Sequence, residues 1–188
     1  MKRGARIAAA AAMLLTLCGP AAAEIDVLRR APELIQAVQR NDVDQTRTLL
    51  LGGTSPNTTD AQGRTPLTIA VGNDSLAMVR ELLRFGAAPD QGDSLGNTPL
   101  YWAADIGDAG IVKALLDSKA NPNRANRQGM TPLMAAARNG SLPAVETLLA
   151  AGANPNQHDF TGRSALGWAD SSRAPAIAAR LRKAGATG

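Results

Sequence analysis

A chain of 188 residues, 45% hydrophobic and 19% charged, is long enough to bury a core and too apolar to remain disordered. A single His and a single Cys exclude a His/Cys metal cluster and a disulfide framework, and make a Ser-His-Asp or Cys-His centre hard to assemble. The formal net charge of +4 would suit an anionic partner, but three of the cations stand within the first six residues.

Those residues set the N-terminal segment apart. Lys2, Arg3 and Arg6 precede an apolar run from Ile7 to Leu17, Gly19-Pro20 breaks it, and Ala21-Ala22-Ala23 offers the small side chains that a signal peptidase needs. As a helix the run would rise about 16 Å, roughly half of a ~30 Å hydrocarbon core. Residues 1–23 are therefore predicted to be a cleaved export signal rather than a membrane span, with the mature chain starting at Glu24. The rival is a lipid anchor on Cys18, but Leu17 stands where lipoprotein signals usually carry Gly or Ala. From Glu24 onward the chain holds 17 Lys and Arg against 16 Asp and Glu, and no thiol. The basic character leaves with the signal, which disfavours nucleic acid. Absence of Cys suits an oxidising compartment.

The rest of the chain repeats. Gly63, Gly96, Gly129 and Gly162 lie 33 residues apart, each followed in register by Thr65, Thr98, Thr131 or Ser164, then by Leu67, Leu100, Leu133 or Leu166, then by Ala70, Ala103, Ala136 or Ala169. Units are read at about 27–59, 60–92, 93–125, 126–158 and 159–188. In the first, Pro32, Leu34, Ala37, Val43, Leu49-Leu50 and Asn57 keep the phase although the turn motif is degenerate. In the three central units Thr-Pro starts a short helix, with the hydroxyl as N-cap and Pro at the first helical position. Gly72-Asn73-Asp74, Gly107-Asp108 and Asn139-Gly140 end it after about two turns. A second helix follows, with Leu76, Val79, Leu82 and Leu83 or Ile111, Val112, Leu115 and Leu116 at 3/4 spacing. Gly86 and Gly152 supply its left-handed C-cap, and Lys119 stands in the same register. In the last unit the second helix, Pro175 to Lys183, is charged on one side. Neither helix of a unit can bury its apolar face alone, so the units must stack as a solenoid with polar end units as caps.

The segments Asp60-Ala-Gln-Gly-Arg-Thr-Pro-Leu-Thr-Ile-Ala and Asn126-Arg-Gln-Gly-Met-Thr-Pro-Leu-Met-Ala-Ala resemble the turn and first helix of the ankyrin repeat, and the resemblance covers nearly all of the mature chain. It implies an all-α solenoid of about five helix-turn-helix repeats. It also implies a binding partner that is another protein, met on a concave face made by the hairpin tips and the exposed side of the first helices. Carried onto this chain, that face includes Arg64, Leu95, Asn97, Tyr101, Asp105, Ile106, Arg127, Met130, Arg138, Asn139, Phe160 and Arg163. Leu95, Ile106, Met130 and Phe160 are apolar at positions that the fold is expected to leave free. Residues 24–123 carry a net charge of −4 and residues 124–188 a net of +5. Acidic groups of a partner are therefore expected over Arg127, Arg138 and Arg163, with an apolar anchor against Tyr101 and Met130.

Departures from the family pattern are few. The His that often follows Thr-Pro-Leu is Thr68, Tyr101 or Met134 here, and Trp102 and Trp168 replace aliphatic core residues, where buried packing is expected. Lys119 at a left-handed cap predicts tolerated strain. Chemistry is sparse: no phosphate loop, HExxH or CxxC occurs, His158 reads as an exposed turn residue, and Asp105 and Asp108 read as solvated or capping acids. Asn57-Thr58-Thr59 matches a glycosylation acceptor, but Asn57 already closes a repeat. The sequence predicts no enzyme, cofactor or metal. It predicts a monomer in the periplasm or outside the cell, free of membrane after cleavage, that resembles small bacterial scaffolds or protectors of envelope enzymes. An immunity-type inhibitor of a periplasm-delivered toxin is the alternative.

Overall fold

The computed structural model describes residues 33–187, and the predicted signal and the start of the first repeat lie outside them. Five helix pairs follow one another among the described residues. Helix α1 (residues 33–39) precedes α2 (Val43–Leu51), and α3 (Pro66–Gly72) precedes α4 (Leu76–Arg84). Then come α5 (Pro99–Ile106) with α6 (Ala109–Asp117), α7 (Pro132–Asn139) with α8 (Leu142–Ala150), and α9 (Ala165–Ser171) with α10 (Pro175–Lys183). The fold is the all-helical solenoid that the 33-residue period predicts.

The first helices start as the Thr-Pro motif requires. The Thr65, Thr98 and Thr131 hydroxyls accept from the backbone N–H groups of Thr68, Tyr101 and Met134 at 3.1, 3.1 and 3.3 Å, and Ser164 accepts from Gly167 at 3.3 Å. Second helices are capped in register too: Asp42, Asp108 and Ser141 accept from backbone N–H groups of the first turn, whereas Ser75 and Ala174 make no such bond. Helices of seven to nine residues are too short to persist alone in water. Stacking holds them. First helices form one layer, α3 on α5 on α7 on α9, and second helices form another, α2 through α10 by even steps. Leu34, Leu67, Leu100, Leu133 and Leu166, one per repeat, are buried in the core. Truncating any of them to Ala is worth about 2–5 kcal/mol.

Two polar ladders tie neighbouring repeats. At the hairpins, Ser94, Arg127 and Phe160 donate their backbone N–H groups to the carbonyls of Gln62, Leu95 and Gln128 at 3.2, 3.0 and 3.0 Å. At the other end, Asn123 accepts from Asn154 N at 2.7 Å and donates to Gly152 O at 3.1 Å, and Asn156 does the same with Thr187 and Gly185. Asn57 follows the pattern with Ala88 and Gly86, which is the structural role its register predicts.

The backbone strain expected at Lys119 is present. Its φ is 69°, beside 81° for Gly86 and 85° for Gly152 at the equivalent positions. One core position carries a mismatch that the pattern makes visible. Val79, Val112 and Val145 are buried in successive second helices, but the first repeat places Thr46 there, fully buried, with no partner for its hydroxyl among the described residues.

Candidate protein-binding surface

Each hairpin is organised by one side chain. Oδ1 of Asp60, Asp93, Asn126 and Asp159 accepts from the backbone N–H groups two and four residues on, at 2.8 to 3.0 Å (for Asp159, Thr161 at 2.8 Å and Arg163 at 3.0 Å). What happens to the second oxygen differs. In the second repeat Asp60 Oδ2 takes the Arg64 guanidinium, with Nε and Nη2 both at 2.8 Å. In the last repeat Trp168 stands where the second has Ile69, and its indole Nε1 donates to Asp159 Oδ2 at 2.9 Å. Arg163, in the register of Arg64, is displaced from that oxygen. Its guanidinium lies 4.8 Å from the centroid of the Trp168 ring instead. Burial alone would push both carboxyls up. Hydrogen bonds outweigh it, from Arg64 and Gln62 on Asp60 and from Thr161, Arg163 and Trp168 on Asp159, so both are held below the usual carboxylate range.

Trp102 makes the matching bond to Asp93 Oδ2 at 3.0 Å and meets Tyr101 edge-on, with ring centroids 5.8 Å apart. Both indoles are half-buried and tethered by their N–H groups, a refinement of the expected core packing. The signal for this was an Asp nine residues before each Trp, at 93/102 and 159/168.

Four of the expected contact residues are turned on one another. Arg138 Nη2 donates to Asp105 Oδ1 at 2.6 Å and to the Tyr101 hydroxyl at 3.2 Å, while Tyr101 donates to Met130 Sδ at 3.9 Å. Tyr101 and Met130 are only 5% and 4% exposed, which corrects the expectation that they form an accessible anchor. The reason is lateral packing: each fills space beside the other across adjoining repeats. Burial pushes the Tyr101 hydroxyl up. Burial would lower Arg138, but the Asp105 carboxylate outweighs it and holds the guanidinium above its usual value. Arg138 therefore already has its counter-ion, and Asp105 is neither free nor a cap. Asp108 is a cap, as expected. Asn97 is also buried, accepting from the Asn126 amide at 2.8 Å.

The remaining expected residues stay accessible. Phe160 is 81% exposed, Leu95 60% and Ile106 40%, and Arg127, Asn139 and Arg163 are exposed as well. Arg64 is half-buried against Asp60. His158 is exposed in its turn. Among the described residues no cluster of three or more His, Cys, Asp or Glu is placed to hold a metal, and no helix is long and apolar enough to cross a membrane.

The family profile described as ankyrin repeats, in three copies, matches residues 34–126 and again 105–187. The chain belongs to the ankyrin-repeat family. No curated protein matches it. Ankyrin repeats are generally protein–protein interaction modules.

Proposed function

We propose that this ankyrin-repeat chain is exported through a cleaved N-terminal signal and acts in the bacterial periplasm as a non-enzymatic binding module. Its hairpin and first-helix side holds one partner protein, as a scaffold or protector of an envelope enzyme. The observation that carries the reading is the coincidence, on one side of the stack, of exposed Leu95, Ile106 and Phe160 with Arg127 and Arg163, whose guanidinium groups have no carboxylate partner among the described residues. Export is supported by the Lys2–Arg6 basic region, the Ile7–Leu17 apolar run and the Ala21–Ala23 site, and by the lack of any thiol beyond Cys18. The test is affinity capture from periplasmic extract by the exported protein and by a double variant, Leu95→Glu with Phe160→Glu. A partner held by the first and lost by the second supports the reading. Equal retention by both contradicts it. Intact-mass spectrometry checks export: a species starting at Glu24 is expected, and one starting at a lipidated Cys18 or at Met1 overturns it.

A further inference from the structure

The binding face is not uniform, and its register positions can be compared repeat by repeat. At the hairpin position after the organising Asx stand Ala61, Ser94, Arg127 and Phe160. Stems of the last two lie over the glycine of the preceding hairpin: an added Cβ at Gly96 would meet Arg127 Cγ at 3.3 Å, and one at Gly129 would meet Phe160 Cδ1 at 2.9 Å. Arg127 and Phe160 thus occupy one row in adjoining repeats, each lying against the backbone of the preceding hairpin. Three further features converge on Phe160 through a single buried carboxylate. Asp159 precedes it, bonds the Arg163 backbone through Oδ1 and bonds the Trp168 indole through Oδ2. Because the indole holds that oxygen, the Arg163 guanidinium rests 4.8 Å from the ring centroid with no carboxylate partner among the described residues, whereas Arg64 pairs with Asp60, and Arg138, 5.6 Å from the same centroid, pairs with Asp105.

Resting on the protein-binding reading above, we propose that Phe160, Arg163 and Trp168, with Arg127 beside them, form the anchor of the face and take an acidic protein segment that carries an apolar side chain. Carboxylates of the segment meet Arg163 and Arg127. Its apolar residue lies against Phe160, which is 81% exposed, while the indole seats the Arg163 guanidinium. The composition suits such a role, since Trp and Arg are enriched among residues that dominate interfaces. The surroundings suit it too: residues 124–188 hold 8 Lys and Arg and only 3 acids. Of those acids, Asp159 is enclosed by its own hydrogen bonds and Asp170 pairs with Arg182 at 3.6 Å. An acidic segment approaching this end therefore meets little competing negative charge.

The test uses a capped nine-residue peptide of alternating Glu and Leu, its counterpart with Lys for every Glu, and the purified protein observed by amide chemical shifts. The acidic peptide is expected to shift the amides of residues 158–170 and 127–129, to bind at least tenfold more tightly than the Lys peptide, and to weaken with added salt. Arg163→Gln should reduce its affinity at least fivefold and Arg163→Glu at least tenfold, with amides outside the last two repeats unmoved by the substitutions. No shift in these amides overturns the proposal, as does equal binding of the two peptides or indifference to both Arg163 variants. Shifts confined to the hairpins of the second and third repeats also overturn it, but leave the protein-binding reading standing. That reading is tested separately by the capture experiment, which uses no peptide.

Discussion

Two clusters on the same side of this stack use the same residue types to opposite ends. In the middle, Tyr101, Met130, Arg138 and Asp105 join three elements by hydrogen bonds and an ion pair, and their polar atoms face one another. At the C-terminal end, Phe160 stands out in solvent and Arg163 lies on an indole with no counter-ion among the described residues. The middle cluster is a joint between repeats and the terminal one is a surface, although Arg138 of the first also lies 5.6 Å from the Trp168 ring of the second. What decides between them is where the nearest carboxylate goes. Asp105 receives Arg138, whereas Asp159 is committed to Trp168. A list of variable positions cannot make this distinction, because it depends on which neighbour reaches the acceptor first.

Substitution should separate the two clusters sharply. Tyr101→Ala removes a buried ring and leaves Arg138 and Met130 short of a partner, so it should cost about 3–5 kcal/mol of stability. Phe160→Ala, at an exposed position, should stay within about 0.5 kcal/mol. Denaturant unfolding of both variants checks the contrast, and similar losses would erase it.

Acid offers a second way to sharpen the comparison, since Asp159 underlies the terminal cluster. Its carboxyl is depressed in the folded protein, so the stabilisation it provides is complete above the unfolded carboxylate range and is lost as pH falls through it, over about pH 5 to pH 2. Asp159→Asn should keep the hairpin, as Asn126 does in the preceding repeat, but would set an amide N–H₂ against the indole N–H. A loss of about 1–2 kcal/mol near neutral pH and a flatter acid limb are expected from unfolding midpoints taken across that range.

Two smaller effects lie away from both clusters and test the register itself. Thr46→Val replaces an unpartnered buried hydroxyl by the residue found at the same point in the next three repeats, and should stabilise by about 1 kcal/mol. Lys119→Gly should relieve the left-handed φ of 69° for a gain of roughly 0.5–1.5 kcal/mol, part of it offset by the entropy of Gly in the unfolded chain. A falling midpoint in either variant would place the residue in a different environment from the one described.

The contrast also explains how far the amino-acid pattern could be read. The period, the Thr-Pro caps, the core Leu of each repeat and the strain at Lys119 are local or strictly periodic, and all were legible. Tyr101 and Met130 were not, because a variable position is open or closed according to the side chain 29 residues away in the adjoining repeat. The Trp–Asp bonds were written in the spacing at 93/102 and 159/168, but nothing in a single repeat says that the indole outcompetes Arg163 for the carboxylate.

The central claim is that the terminal cluster, not the central one, is where a partner sits. In-cell photo-crosslinking tests it directly, with a benzoylphenylalanine introduced at Phe160, at Ile106 or at Lys113 on the second-helix layer. The account predicts a protein adduct from position 160 that Arg163→Glu abolishes, a weaker one from 106 and none from 113, with the crosslinked partner peptide acidic. An adduct from position 113 with none from 160 would contradict it.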